Sequence, residues 1–189
     1  MVAIERTAAI LLAAGLSRRF GAEDKLLSDH HGRPLVDHAA ATLAGLPCAR
    51  HIAVVRVGAP KLRALLEARG FAVVENDAPE TGMARSLALG IMAAGDAEAA
   101  LIALGDMPAI PAAHLAALCA RLSPDAPIAA TAGPSRPMVP AAFVASVFAR
   151  LQALTGDRGA QDVLADVPTV ALDPALLFDI DCRAAPEGG

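Results

Sequence analysis

Ala8-Ala-Ile-Leu-Leu-Ala-Ala-Gly-Leu-Ser-Arg-Arg-Phe-Gly-Ala-Glu-Asp-Lys25 runs from an unbroken apolar segment straight into a polar loop. The apolar part, 8–13, is too short for an ordinary helix and lacks polar alternation, which predicts a strand buried on both faces. Similar runs at 52–55, 72–74, 99–104 and 128–130, each bounded by Gly, Pro or charge, predict four more. Leu115, Leu118, Cys119 and Leu122, and again Val144, Val147, Phe148 and Leu151, are spaced i, i+3, i+4, i+7, which predicts two amphipathic helices. Buried strands separated by such helices imply an α/β fold with a mostly parallel sheet covered on both sides. Ligands of these sheets lie beyond the carboxyl ends of the strands, so function is to be sought in the polar residues after each run.

The 189 residues are expected to form one domain over 1–182, with a frayed tail over 183–189. Hydrophobic residues make up 55% of the chain and aromatics only 3%, so the core must be packed from small aliphatic side chains. No apolar stretch approaches the roughly 18–20 residues that span a bilayer, and the start lacks a basic segment leading into a long apolar one. The expectation is a soluble, cytoplasmic protein with no membrane partner. Three widely spaced cysteines without a CxxC pair are expected to be reduced and buried. A net charge of −4 argues against a broad nucleic-acid-binding face, so any phosphate site must be local.

The polar loop is suited to such a site. Leu12, Ala13, Ala14 and Gly15 let a ligand approach the backbone, whose successive N–H groups can cradle an anion such as a triphosphate. Arg19 could clamp phosphate oxygens through its planar fork, and Lys25 could oppose the charge that develops at an attacked α-phosphate. The alternative is a solvated turn with surface cations. Gly15 and Gly21 fit neither the Gly-Lys-Ser/Thr ending of a P-loop nor the paired glycines of a dinucleotide fingerprint, which leaves Asp37 as a helix-face residue.

The loop resembles that of the molybdopterin nucleotidyltransferases and the related cytidylyltransferases. Their signature, Leu-Ala-Ala/Gly-Gly-x-Ser-x-Arg-x-Gly followed by Lys, is matched by Leu12 through Gly21 and Lys25. The resemblance implies a three-layer α/β/α fold of the Rossmann-like, nucleotide-diphospho-sugar transferase type. It implies transfer of a nucleoside monophosphate to a molybdopterin cofactor, with Mg²⁺ as the metal and pyrophosphate as the leaving group. A molybdoenzyme or its chaperone is the further partner expected. Ala14 is similar to the cytidylyl branch and favours CTP, whereas the Asp24-Lys25 spacing is similar to the guanylyl branch and keeps GTP open.

The resemblance extends along the chain. Asn76-Asp-Ala-Pro-Glu-Thr-Gly-Met-Ala-Arg-Ser86 looks like the family's base-binding segment, in which Gly82 permits a close approach. There Asn76 offers a donor and an acceptor to a nucleobase, and Ser86 lies near a helix start, where it could instead be a capping residue. Asp106, directly after the apolar run 99–104, matches the family's metal aspartate, and a carboxylate there can hold Mg²⁺. On its own it could equally cap a helix beginning near Pro111. Asp181, in Phe178-Asp-Ile-Asp-Cys182, is the second metal ligand carried over, although Cys182 stands where the family has Thr. Gly156 and Asp157 resemble an acceptor-side loop. Arg136 replaces the His of the family's Gly-His-Pro and offers a permanent cation to an anionic acceptor or to solvent.

The five histidines lack metal-ligand spacing, and no Ser/His/Asp constellation indicates covalent catalysis. Two other readings share these features: a sugar- or isoprenoid-phosphate nucleotidyltransferase, and a non-catalytic nucleotide-binding carrier of a cofactor.

Overall fold

The computed structural model describes residues 2–16 and 24–178. At its centre is β1, Thr7–Ala13, whose seven residues are all buried. This is what an apolar run without alternation demands, because both of its faces must be covered. The other strands of the main sheet are β4 (Arg50–Arg56), β5 (Ala72–Asn76), β6 (Ala99–Leu104), β7 (Ile128–Ala132), β8 (Pro137–Val144) and β9 (Thr169–Val170). A two-stranded hairpin, β2 (Asp29–His30) and β3 (Arg33–Pro34), stands apart from it. The main sheet has the order β5-β4-β1-β6-β8-β7-β9. Its pairings are parallel except that β8 runs antiparallel to both β6 and β7.

Five helices complete the layers: α1 (Leu35–Ala44), α2 (Pro60–Ala68), α3 (Met83–Ala93), α4 (Ala112–Ala120) and α5 (Phe148–Gln152). On one face of β1, Ala9, Leu11 and Ala13 join Val36 and Leu43 of α1, Leu62 and Leu66 of α2, and Leu115 and Leu118 of α4. On the other, Ala8, Ile10 and Leu12 join Leu87 and Ile91 of α3 and Leu151 of α5. The expected three-layer, Rossmann-like architecture follows from this alternation. Small residues set the spacing: a Cβ at Gly90 of α3 would lie 2.6 Å from Ile10 Cγ2 and 3.3 Å from Val54 Cγ2. The helix therefore rests directly on the sheet. No helix of the described residues is long and apolar enough to cross a membrane.

All five expected strands are present, but one expected helix is largely replaced. Val144 ends β8, residues Ala145–Val147 form a 3-10 turn, and α5 begins only at Phe148. The chain is held in the sheet by Val144 N–H donating to Pro127 O and Ala145 N–H donating to Glu98 O. Leu122 lies just past α4, yet is fully buried with the other apolar residues of its pattern.

β8 contains two prolines, which its partners accommodate. The β7–β8 register shifts between Ala130 and Thr131, which face Ala141 and Met138, so Val139 and Pro140 form a bulge. The Thr131 hydroxyl donates to Pro140 O at 2.7 Å, and the buried His114 meets Thr131 Oγ1 through Nε2 at 2.8 Å. With the hydroxyl hydrogen committed to Pro140, Nε2–H of His114 is the donor in that second bond.

Burial lowers the pKa of His114 below its ordinary 6.5. The unfolded chain then binds more protons in the window below 6.5, so the neutral imidazole's contribution is complete above that value and is lost as pH falls toward the folded value. The urea midpoint is expected to drop between about pH 7.5 and 5.5, and His114→Gln to flatten that slope. An unchanged slope in the variant would assign the dependence to other groups.

Candidate active site

The carboxyl ends of β1, β4, β5, β6 and β7 share one edge of the sheet, and the antiparallel β8 begins there. Chain entering and leaving this edge carries the polar segments singled out in the sequence. Leu12, Ala13 and Ala14 are buried at the end of β1, whereas Gly15 is exposed and has open space around the position of a Cβ. Alongside, Gly105 N–H donates to Leu12 O at 3.0 Å. A Cβ on Gly105 would approach Val36 Cγ2 to 3.2 Å and Ala13 Cβ to 3.5 Å. This glycine lets the chain leaving β6 stay close to the end of β1, and it delivers Asp106 to the loop.

Lys25 comes to the same place from the other end of the loop. Asp24 caps the 3-10 turn Lys25–Leu27 by accepting from Leu26 N–H through Oδ1. Lys25 Nζ donates to Asp106 Oδ2 at 2.8 Å, with the lysine side chain 10% exposed and the aspartate 26%. Partners 81 residues apart are thus joined in a mostly shielded ion pair. Asp106 does not cap α4, whose N-cap is Pro111 with no side-chain cap bond.

Asp106 suits a hard cation: Mg²⁺ takes one or two protein carboxylates and completes its shell with water and phosphate. Among the described residues no group of three or more His, Cys, Asp or Glu is arranged for a metal. A site of the Mg²⁺ kind does not require one. Arg19 and Asp181, also expected here, lie outside the described residues.

At the end of β5, Asn76 is enclosed by protein partners. Its side chain is fully buried, with Nδ2 donating to Ser86 Oγ at 2.9 Å and Oδ1 accepting from Ala78 N–H and Arg85 Nε. The amide holds the turn into α3 through these bonds. Ser86, on the first turn of α3, receives that bond and is not the cap, which is Gly82. Arg85 also pairs with Asp77, whose carboxyl it holds below its ordinary value by hydrogen bonding and charge.

Gly82 connects this turn to the loop at Gly156 and Asp157, which the sequence places on the acceptor side as an expectation. It adopts φ of 108°, and a Cβ there would fall 2.5 Å from the Gly156 carbonyl and 2.6 Å from Asp157 Oδ1. Ala84 N–H donates to Gly156 O at 3.1 Å. Only glycine accepts both the backbone angle and the close approach, so Gly156 and Asp157 are seated against the start of α3. Arg136 is exposed in the β7–β8 turn on the same edge. Among the described residues no hydrogen bond or ion pair joins it to the other site residues. Arg56, after the apolar run 52–55, and Asp24 carry contacts that the sequence did not reveal: Arg56 donates to Gly15 O and to Asp24 Oδ2.

Solved structures share this fold over most of the chain. The Rv0371c homologue from Mycobacterium sp. strain JC1 is 25% identical with a TM-score of 0.81, covering 95% of this chain and 92% of its own. A nucleotidyl transferase from Methanothermobacter is 24% identical with a TM-score of 0.78, covering 93% and 92%. Rv0371c of Mycobacterium tuberculosis in complex with manganese is 23% identical with a TM-score of 0.70, covering 88% of each chain. A search of curated proteins finds no match. The family described as the MobA-like NTP transferase domain matches residues 9–172. The fold and the loop after β1 thus agree with that match, and the chain belongs to this family of nucleotidyltransferases.

Proposed function

We propose that the chain transfers CMP from CTP to the phosphate of a molybdopterin cofactor, with Mg²⁺ as the metal. The observation that supports it most is the Lys25–Asp106 pair, which sets a cation and a metal-type carboxylate beside the loop after β1. An acceptor phosphate oxygen forms a bond to the α-phosphorus, the bond to the bridging oxygen of the β-phosphate breaks, and pyrophosphate leaves with those electrons. The acceptor is already anionic and needs no protein base. When bound, Mg²⁺ supplies positive charge to the phosphate oxygens, with Asp106 and Asp181 as its proposed protein ligands. Lys25 and Arg19 oppose the charge that builds up at the α-phosphate, since positioning and electrostatics carry most phosphoryl-transfer catalysis.

On this reading the backbone from Leu12 to Gly15 cradles the triphosphate, and Gly82 lines the base side of the site. Asn76 and Ser86 hold that side in shape from beneath. Arg136, Gly156 and Asp157 face the acceptor. Ala14 is the residue that favours CTP, and the Asp24-Lys25 spacing favours GTP as the second reading. We place the reaction in the cytoplasm, with a molybdoenzyme or its chaperone receiving the product.

The test is pyrophosphate release by purified protein with Mg²⁺ and molybdenum-loaded molybdopterin, comparing CTP, GTP, ATP and UTP. Release with CTP alone is expected. Release with GTP alone changes the base. Binding of a triphosphate without release, across molybdopterin, sugar-phosphate and isoprenoid-phosphate acceptors, points to a carrier.

A further inference from the structure

We infer that Arg56 is a positioning residue that ties together the two ends of the loop following β1, and so sets nucleotide affinity. The inference rests on the nucleotidyltransferase reading above. Arg56 is the last residue of β4, one strand over from β1. Its Nη1 donates to the Gly15 carbonyl at 3.3 Å and its Nη2 to Asp24 Oδ2 at 2.6 Å. One guanidinium therefore holds the residue where the chain leaves the strand region and the residue where it returns. The Arg56 side chain is 22% exposed and that of Asp24 only 9%, so the pair is shielded from the solvent that weakens surface ion pairs.

The contacts lead onward to the reacting groups. While Asp24 Oδ2 receives Arg56, its Oδ1 caps the turn that carries Lys25, and Lys25 in turn meets Asp106. On the other side Arg56 is in register with Asn76, and Val57 N–H donates to Asn76 O at 3.0 Å. Arg56 thus stands between the loop and the turn into α3, braced against both. A lysine could not reproduce this, because its ammonium is a point charge and lacks the planar fork that reaches two acceptors at once. Without that tie the nucleotide itself would have to hold Gly15 and Asp24 in place, and that cost would appear as weaker binding.

The experiment measures dissociation constants of Mg²⁺-CTP and Mg²⁺-GTP, with KM and kcat for the productive triphosphate, in wild type, Arg56→Lys, Arg56→Ala, Asp24→Asn and the double variant Arg56→Ala/Asp24→Asn. Asparagine caps a helical turn about as well as aspartate, so Asp24→Asn removes the ion pair while keeping the cap. Thermal unfolding of each variant separates loss of fold from loss of binding. The expected result is a rise in Kd and KM of about tenfold for each single variant, Arg56→Lys included, in proteins that remain folded at the assay temperature. The double variant should be no weaker than the weaker single, because the charge of Asp24 acts through Arg56 and the asparagine keeps the cap. Wild-type affinity in Arg56→Lys, or multiplying losses in the double variant, would overturn the clamp while leaving the nucleotidyltransferase reading intact. Failure of wild type to bind either triphosphate would overturn both.

Discussion

Asp106→Ala is expected to abolish turnover, lowering kcat by about 10³-fold or more, as its proposed role as ligand to a metal worth several kcal/mol in the transition state demands. The same change withdraws a counter-charge 2.8 Å from the Lys25 ammonium, so the orientation of that cation is lost together with the carboxylate. Asp106→Asn keeps the volume and one acceptor oxygen but not the charge, and should be nearly as slow. Both variants should also lose Mg²⁺-dependent nucleotide binding, because in the proposed mechanism the metal and the triphosphate enter the site together. The checks are pyrophosphate release and nucleotide titration with and without Mg²⁺, on protein shown to be folded by its unfolding transition. Normal turnover in folded Asp106→Ala would remove this residue from the mechanism.

The second large effect concerns stability. Gly90→Val is expected to destabilise the fold by about 3 kcal/mol, the upper part of the usual range for overpacking. The first carbon alone would fall 2.6 Å from Ile10 Cγ2, and both the new residue and Ile10 are β-branched and stiff at χ1. Neither can swing away, so α3 must lift from β1 and β4. For a chain of this size the loss corresponds to a fall in Tm of roughly 6–12 °C. Because Gly82 and Ser86 ride on the same helix, the lifted helix should also weaken nucleotide binding. Gly90→Ala is the milder comparison, since about 1 kcal/mol of helix propensity offsets part of the clash. A Gly90→Val protein that melts with wild type would mean that the sheet yields where the distances say it cannot.

The parts of this fold visible in the sequence were those that depend on local pattern. Runs such as 8–13 and 99–104 could be read as strands because a segment buried on both faces needs no partner to be identified. β8 was missed because Pro137 and Pro140 argue against a strand unless a bulge and the Thr131 hydroxyl absorb them. Val144, Val147, Phe148 and Leu151 mimicked a helix because a strand end, a turn and a short helix happen to present apolar residues at the same spacing.

The site divides in the same way. Lys25 and Asp106 could be named from their motifs, but their contact spans 81 residues and no local pattern encodes it. Asn76 showed its chemical groups but not its burial, which depends on the packing of β5 against α3. Arg56 followed an apolar run, where ligands of such sheets are met, yet its two acceptors lie 41 and 32 residues away.

The reversed strand β8 has a consequence for how acceptor choice can diverge. Running against its neighbours, it adds a turn at residues 133–136 to the edge where the parallel strands end. That turn belongs to the half of the sheet remote from β4 and β5, where the nucleotide side is proposed. Below it, the bulge at Val139 and Pro140, fastened by Thr131 and His114, separates the turn from the residues of β8 that pair with β6. On the proposed function the turn is an exchangeable module: a His-to-Arg change, or a loop of another length, would redirect the acceptor while the machinery that handles the triphosphate is inherited unaltered.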